Sequence, residues 1–590
     1  MKKKYVLLLV LFSCCSHSAQ SLGLTQLLNE IWHYELSVHP IQATRYGEHR
    51  YDDQLKDLSP QALAAQDAKY RQFLSSLHKF DVNKLERQQQ ISLLMQVRRL
   101  QNYVDQYHFN AHYMPITSES GFHSALAFLP KSARFKTVQD YQNYLARLEQ
   151  FPRYFTQQIN WMKKGLVSGM AQPKVVLQGK ELSVQSYIHA EAENSLFFAP
   201  LNKLKTLQLS HKQHNDLLNK ARKIIAQKVF PAYQHFYDFL VNEYIPGGKQ
   251  DIAAQTWSKG SAYYQNRSDY YTTTNMQVNE IHQLGLREVK RIRAEMQQVL
   301  DKLAFDGDIN QFIQHLRSEP KFYANTADEL LQQASYIAKK MDAKLPRLFY
   351  KMPRTPYGVA PVPDSIAAKY TTGRYISPTR DDQPGYYWVN TYSLDKRPLY
   401  ALTALTLHEA VPGHHLQISL ASEMQDLPPV RRHTYISAFG EGWGLYSEFL
   451  GKEVGMYDDP YDEFGRLSYE MWRACRLVVD TGMHMLDWPR QRAINYMFEN
   501  TALSEHNIKT EVDRYISWPG QALSYKIGEL KIKKLRQQAE QELGEKFDLR
   551  AFHDAVLEYG SVPLSVLEEN IQLFIAKQKN AGTGSTGSIH

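Results

Sequence analysis

The sequence predicts a mostly α-helical protein with one small β element. Three observations carry that reading. Long segments place apolar residues at three- and four-residue spacing, the pattern of a helix with one buried face. One run, GYYWVNTYSL (385–394), combines aromatic and β-branched residues behind a Pro-Gly pair in the manner of a strand. And 43% of the 590 residues are hydrophobic, enough for a large core divided over more than one domain.

Taken from the N-terminus, MKKK precedes the apolar YVLLLVLF and then SCCSHSAQS. A basic start before an apolar run of this length has the form of a secretory leader and is too short to span a bilayer. Residues 1–19 therefore read as a signal peptide, and the protein as exported to the periplasm or held in the cell envelope. LFSC, ending at Cys14, resembles a lipoprotein signal, with Phe12 bulky for its place; cleavage after Ala19 is the alternative, with His17 a poor match. Membrane attachment is expected only through such a lipid anchor, because no later segment is long and apolar enough to span.

The net charge of +8 is spread along the chain apart from short patches such as KIKKLR (531–536), which reads as solvated surface and not as a nucleic-acid footprint. Outside the leader region the one cysteine is Cys475, which has no intramolecular partner and reads as a small buried hydrophobe.

Helical periodicity runs through residues 24–36, 141–166, 217–245, 280–303 and 327–345. YIPGGKQ (244–250) is the clearest boundary signal, so residues 20–250 read as a helical scaffold half and 251–579 as a catalytic half. Residues 353–384 are irregular and lead into the strand candidate, and 580–590 form a low-complexity tail expected to be disordered.

The chemistry concentrates just after the strand. A helix is expected from about Asp395, with Ser393 or Asp395 as cap and Pro398 early in it, placing His408 and Glu409 in mid-helix. The segment LTLHEAVPGHHLQIS (405–419) resembles the H-E-x-x-H zinc motif stretched by two residues. An undistorted helix would turn His414, at i+6, about 120° away from His408. Pro412 has no N–H for the carbonyl of His408, and Gly413 adds backbone freedom, so a local bulge is expected to re-aim His414. His415, at i+7, is the competitor; it returns to the face but about 10 Å along the axis.

A third ligand is available downstream. RRHTYISAFGEGWGLYSEFLG (431–451) reads as a second helix with Glu441 in its middle. His408, His414 and Glu441 would form a His2Glu site for one zinc ion per chain, a donor set that cobalt or manganese also suits. Glu409 would be the general base, and Glu448, at i+7 from Glu441, would orient a ligand histidine. His433 and His506 read as surface residues.

Four segments in order, HEAVPGHHLQ, EGWGLYSE, RACRLVVDTGMH (473–484) and WPGQALSYKIGELKI (518–532), resemble the bacterial domain-of-unknown-function 885 family. That family is similar to gluzincin-type zinc metallopeptidases. The resemblance covers most of the chain after the leader. It implies a large helical metallopeptidase-like fold with a deep cleft and action on short peptides, with the 385–394 strand candidate as a small β element next to the active-site helix. Its H-E-x-x-P-G-H pattern supports His414 as the ligand, and Glu441 is similar to the glutamate that opens EGF in many zinc aminopeptidases.

For a peptidase, Tyr525 and His484, with Tyr446 behind them, are the candidates to stabilise the tetrahedral oxyanion. A packed aromatic with a satisfied hydroxyl is the competing use of each tyrosine. Arg473, Arg476 and Lys526 are candidates for a substrate carboxylate, with structural ion pairs as the competing use. The 385–394 strand could take an extended peptide on its edge, which would bring Asn390 near the site. The competing function is an exported helical protein that binds peptides or cell-wall fragments around a non-catalytic metal site; hydrolysis of a non-peptide amide is a third option.

Overall fold

A computed structural model describes residues 21–368, 370–378 and 383–581. The leader, Cys14 and residues 582–590 of the tail lie outside the described residues. Residues 580–581 do not begin a disordered tail; they complete the helix Leu564–Ala581. The chain is mostly helical with one small sheet, and no helix among the described residues is long and apolar enough to cross a membrane.

Packing divides the chain into two units, one ending at Asp251 and including Thr256–Lys259, the other formed by Ile252–Gln255 and the chain from Gly260. Within the first unit, proline sets local geometry. The periodicity of 141–166 suggests one helix, but the structure has two, Val138–Glu149 and Phe151–Ser168, because Pro152 lacks the N–H that would continue the first. Residues 211–247 are helical without a break and include two π-turns, Ile225–Val229 and Leu240–Tyr244, each followed by a proline, Pro231 or Pro246. Widening the turn accommodates the ring and the missing donor. A core of Leu28, Ile31, Tyr70, Phe73, Leu77 and Leu100 closes the helices at the N-terminal end.

The second unit carries the sheet and the helices that matter below. These are α1 (Val278–Leu303), α2 (Leu402–Glu409), α3 (His414–Ser422), α4 (Ser437–Glu453), α5 (Pro460–Met485) and α6 (Ser524–Leu543). Helix α5 is buried along nearly its whole length. Helix α1 approaches it closely at Gly285, where a Cβ would stand 2.8 Å from the Leu477 Cβ.

The sheet has strand order β1-β3-β2, with β1 (Tyr357–Pro361) parallel and β2 (Gly373–Ile376) antiparallel to β3 (Gly385–Val389). Two strands thus arise inside the stretch 353–384 read as irregular. The strand found from sequence, β3, ends at Val389 and is central. Both of its edges are paired, so an extended peptide cannot add to it.

The expected long helix from Asp395 is also corrected. Two single 3-10 turns, Leu394–Lys396 and Leu399–Ala401, precede α2, and neither Ser393 nor Asp395 caps it. Ser393 sits in the left-handed region at φ 52°, and Pro398 is extended, so a continuous helix into α2 cannot begin before Leu399.

Candidate metal centre

The stretched motif is resolved by breaking the helix, not by bulging it. Helix α2 stops at Glu409 and α3 begins at His414, so His408 and Glu409 lie at a helix end and not in mid-helix. The Ala410 N–H still donates to the Thr406 carbonyl at 2.9 Å; the next bond, from His415 N to the Ala410 carbonyl at 3.1 Å, already spans five residues. Gly413 is required by space. A Cβ there would stand 1.9 Å from the His408 carbonyl oxygen. The Trp443 indole N–H donates to the Pro412 carbonyl at 2.8 Å and ties the break to α4.

The break brings His414 back beside His408, with ring centroids 4.7 Å apart and planes at 89°. Glu441 of α4 completes the cluster. Its Oε2 lies 3.5 Å from His408 Nε2 and 3.4 Å from His414 Nε2. One ligand atom from each of the three residues lies within 4.8 Å of the others. Both His–Glu separations are too long for charge-assisted hydrogen bonds of about 2.7–2.9 Å. They match the edge of a tetrahedron, about 3.3 Å, formed by donors some 2.05 Å from one ion. Two imidazole nitrogens and one carboxylate oxygen at this spacing fit a zinc-class cation.

Charge is arranged for the same end. Burial opposes ionisation of Glu441, but His414 and His408 outweigh it and hold the carboxyl well below its usual range. Burial would likewise depress His408; the carboxylates of Glu441, Glu448 and Glu409 more than offset it and lift the ring to about 9.

Behind the cluster, His408 Nδ1 bonds Glu448 Oε1 at 2.8 Å, and Arg473 Nη2 reaches the same oxygen at 3.1 Å. This pair occupies Nδ1 and leaves Nε2 of His408 facing the cluster. The His408 ring lies flat against α4 because residue 444 is glycine; a Cβ would come within 2.6 Å of the ring.

His415 turns the other way. Its Nδ1 meets Tyr375 Oη at 3.1 Å and Ser419 Oγ at 3.3 Å, and its ring packs on Tyr357 of β1. Between His414 and His415, only His414 reaches the cluster. Glu409 faces the edge strand β2, where its Oε2 accepts from the Tyr375 backbone N–H at 2.8 Å.

Several other sequence candidates are placed elsewhere. His484 is fully buried, with Nε2 on the Tyr515 carbonyl at 2.9 Å and Nδ1 accepting from Ala254 N at 3.1 Å; both nitrogens are used, and burial lowers the ring to about 4. Tyr446 projects from another face of α4, to His553 Nε2 at 2.9 Å and Arg536 at 3.0 Å. The Asn390 amide clamps a loop by donating to the carbonyls of Ala367, Tyr370 and Thr371.

The three cations serve ion pairs. Arg473 backs Glu448, and Arg476 joins Glu511 at 3.0 Å and Tyr515 Oη at 2.8 Å. Lys526, with no exposed surface, lies within 3.1 Å of Glu288, Glu470 and Glu529. A long cation in the interior is held by the carboxylates that offset its desolvation, which leaves none of the three reaching into solvent. Tyr525 is half-buried, with the Arg476 guanidinium 4.1 Å from its ring centroid, and it lies near enough to Tyr435 to act on that phenol's ionisation. Cys475 is fully buried, which pushes its thiol pKa up.

Sequence reasoning missed Tyr435. Residues 431–451 are not one helix. A short turn, Pro429–His433, and α4 flank an extended segment, 434–436, pinned where Ile436 N donates to Ser561 Oγ at 2.8 Å. Tyr435 projects from it and donates to Glu441 Oε1 at 2.9 Å. The available signal was its place six residues ahead of Glu441, next to a glycine-rich turn of helix.

Among solved structures, a "putative lipoprotein" from Colwellia psychrerythraea is 29% identical with a TM-score of 0.87, covering 94% of this chain and 99% of that one. A second, a "putative lipoprotein of unknown function" from Shewanella oneidensis, shares the fold at 18% identity and a TM-score of 0.73, covering 93% and 99%. No curated protein matches the chain. The family model described as "Bacterial protein of unknown function (DUF885)" matches residues 40–571, nearly the whole described chain, and the protein belongs to that family.

Proposed function

We propose that the protein is a metal-dependent hydrolase of the gluzincin kind, acting on short peptides in the cell envelope. The observation that carries this reading is the tetrahedral-edge spacing of Glu441 Oε2 from His408 Nε2 and from His414 Nε2, with Glu409 adjacent in sequence to His408. A bound zinc-class ion would supply Lewis acidity to a carbonyl and acidify water.

The remaining roles fall to the chain. Glu441 and the two imidazoles hold the ion, and Glu448 and Arg473 keep the His408 ring in its ligating orientation. Glu409 is anchored through one oxygen by the Tyr375 N–H and uses the other to take a proton from water and pass it to the leaving amine. Envelope residence is supported by the leader-like N-terminus and by the description of the relative 29% identical as a "putative lipoprotein".

The test is metal content of the purified mature protein beside Glu441→Ala and His414→Ala, followed by a peptide screen with Glu409→Ala as control. The reading predicts about one zinc per chain, lost in both ligand variants, and turnover that disappears in Glu409→Ala while metal stays. Wild-type protein without metal under zinc-replete conditions would overturn it.

A further inference from the structure

The Glu441 carboxylate divides its two oxygens. Oε2 faces both ligand imidazoles, at 3.5 and 3.4 Å, whereas Oε1 accepts the Tyr435 hydroxyl at 2.9 Å. The phenol is held in place by a built cradle. Gly440 lies under its ring, and a Cβ at that position would stand 2.2 Å from the Tyr435 Cζ. The backbone on the C-terminal side is fixed by the Ile436–Ser561 hydrogen bond. Tyr435 is nevertheless 44% exposed, while His408 and His414 are 2% and 8% exposed.

We propose that Tyr435 is a positioning residue that restricts Glu441 to one ligating oxygen and so keeps a coordination place open for water or substrate. A carboxylate can bind a metal through one oxygen or both. A hydrogen-bonded phenol on Oε1 opposes the second bond, because turning that oxygen onto the ion would stretch the hydrogen bond or move the ring off Gly440. A catalytic site needs the open place that a two-oxygen Glu441 would fill.

This inference rests on the metal reading of the site, and the experiment separates the two. Wild type, Tyr435→Phe and Gly440→Ala are stripped of metal and titrated with Co²⁺, recording the visible spectrum, cobalt affinity and thermal midpoint. Gly440→Ala keeps the hydroxyl but displaces the ring.

The expected result is an intense spectrum of low-coordinate cobalt in wild type. Both variants should lose half or more of the absorptivity as Glu441 adds its second oxygen, while still binding one cobalt per chain. With peptide substrate, kcat should fall about 10-fold or more and KM should change little. Wild type that takes up no cobalt overturns the site reading and the inference together. Wild type that binds cobalt, with Tyr435→Phe matching it in spectrum and kcat, overturns the inference alone.

Discussion

Glu448 gives His408 its function at the scale of a single residue. By accepting the Nδ1–H at 2.8 Å it leaves Nε2 facing Glu441, and Arg473 Nη2 holds the same carboxylate oxygen at 3.1 Å. Glu448→Gln preserves shape but removes that charge, and a 10- to 100-fold loss of zinc affinity is expected in competition with a chromophoric chelator. Equal affinity would show that the ring is oriented by packing on Gly444 alone.

A second residue, Asp480, tests burial apart from the metal site. Its Oδ1 accepts from Tyr264 at 2.6 Å and Gly520 N at 3.1 Å, while Oδ2 has no hydrogen-bond partner. Burial raises the carboxyl to about 7, although Tyr264, Gly520 and the charges of Arg514 and Arg476 pull it down. The folded state therefore keeps a proton that the unfolded chain releases near 4, and stability falls as pH rises from about 4 to 7. Asp480→Asn should remove that dependence, stabilising the protein at pH 8 by up to roughly 4 kcal/mol and hardly at pH 4. Urea midpoints at the two pH values measure it, and an equal shift at both would contradict the assignment.

The clustering of His408, His414 and Glu441 was legible at this scale because histidine and glutamate spacing carries geometry. The roles of Arg473, Arg476 and Lys526 were not, since a sequence does not tell a cation that meets solvent from one locked among buried carboxylates. Tyr435 was one of 38 tyrosines.

Between elements, glycine sets the distances. Gly442 of α4 and Gly528 of α6 meet backbone to backbone. A Cβ on Gly528 would fall 1.8 Å from the Ala438 carbonyl oxygen and 2.8 Å from the Gly442 Cα. Neither neighbour is a side chain that can turn away, so Gly528→Ala must push α6 off the helix that carries Glu441. A loss of about 3 kcal/mol or more is expected by denaturant titration, together with weaker zinc binding. Unchanged stability would mean that the helices part easily and that their closeness does not position Glu441.

The Pro412-Gly413 pair announced a distortion of the motif helix. Whether it would bulge or break depends on what receives the freed Pro412 carbonyl, and that partner, Trp443, lies 31 residues away in sequence. The strands YGVAP and GRYI went unread for a related reason. At five and four residues, with glycine or proline in each, they acquire strand form only by pairing with GYYWV.

On the scale of the whole molecule, mostly helical character was visible because amphipathic periodicity is local, whereas the order β1-β3-β2 is a long-range property that no local pattern states. The metal reading has a consequence at this scale too. All three donors belong to the second unit and join the ends of α2, α3 and α4. An ion held by the folded cluster and not by the unfolded chain stabilises that unit alone; at a free concentration 100 times the dissociation constant the gain is about 2.7 kcal/mol. Amides of α2 to α4 that exchange only when the cluster opens should then exchange about 100-fold faster after chelation, by the same linkage. Amides of the first unit, such as those of Phe151–Ser168, should keep their rates. Hydrogen exchange followed by mass spectrometry resolves the two sets within one sample, with His414→Ala as a control that chelation leaves unchanged. Acceleration in both units would place the ion's effect outside the cluster, and no acceleration in α2 to α4 would mean that these helices hold their arrangement through Trp443, Gly444 and the Glu448–Arg473 pair without help from an ion.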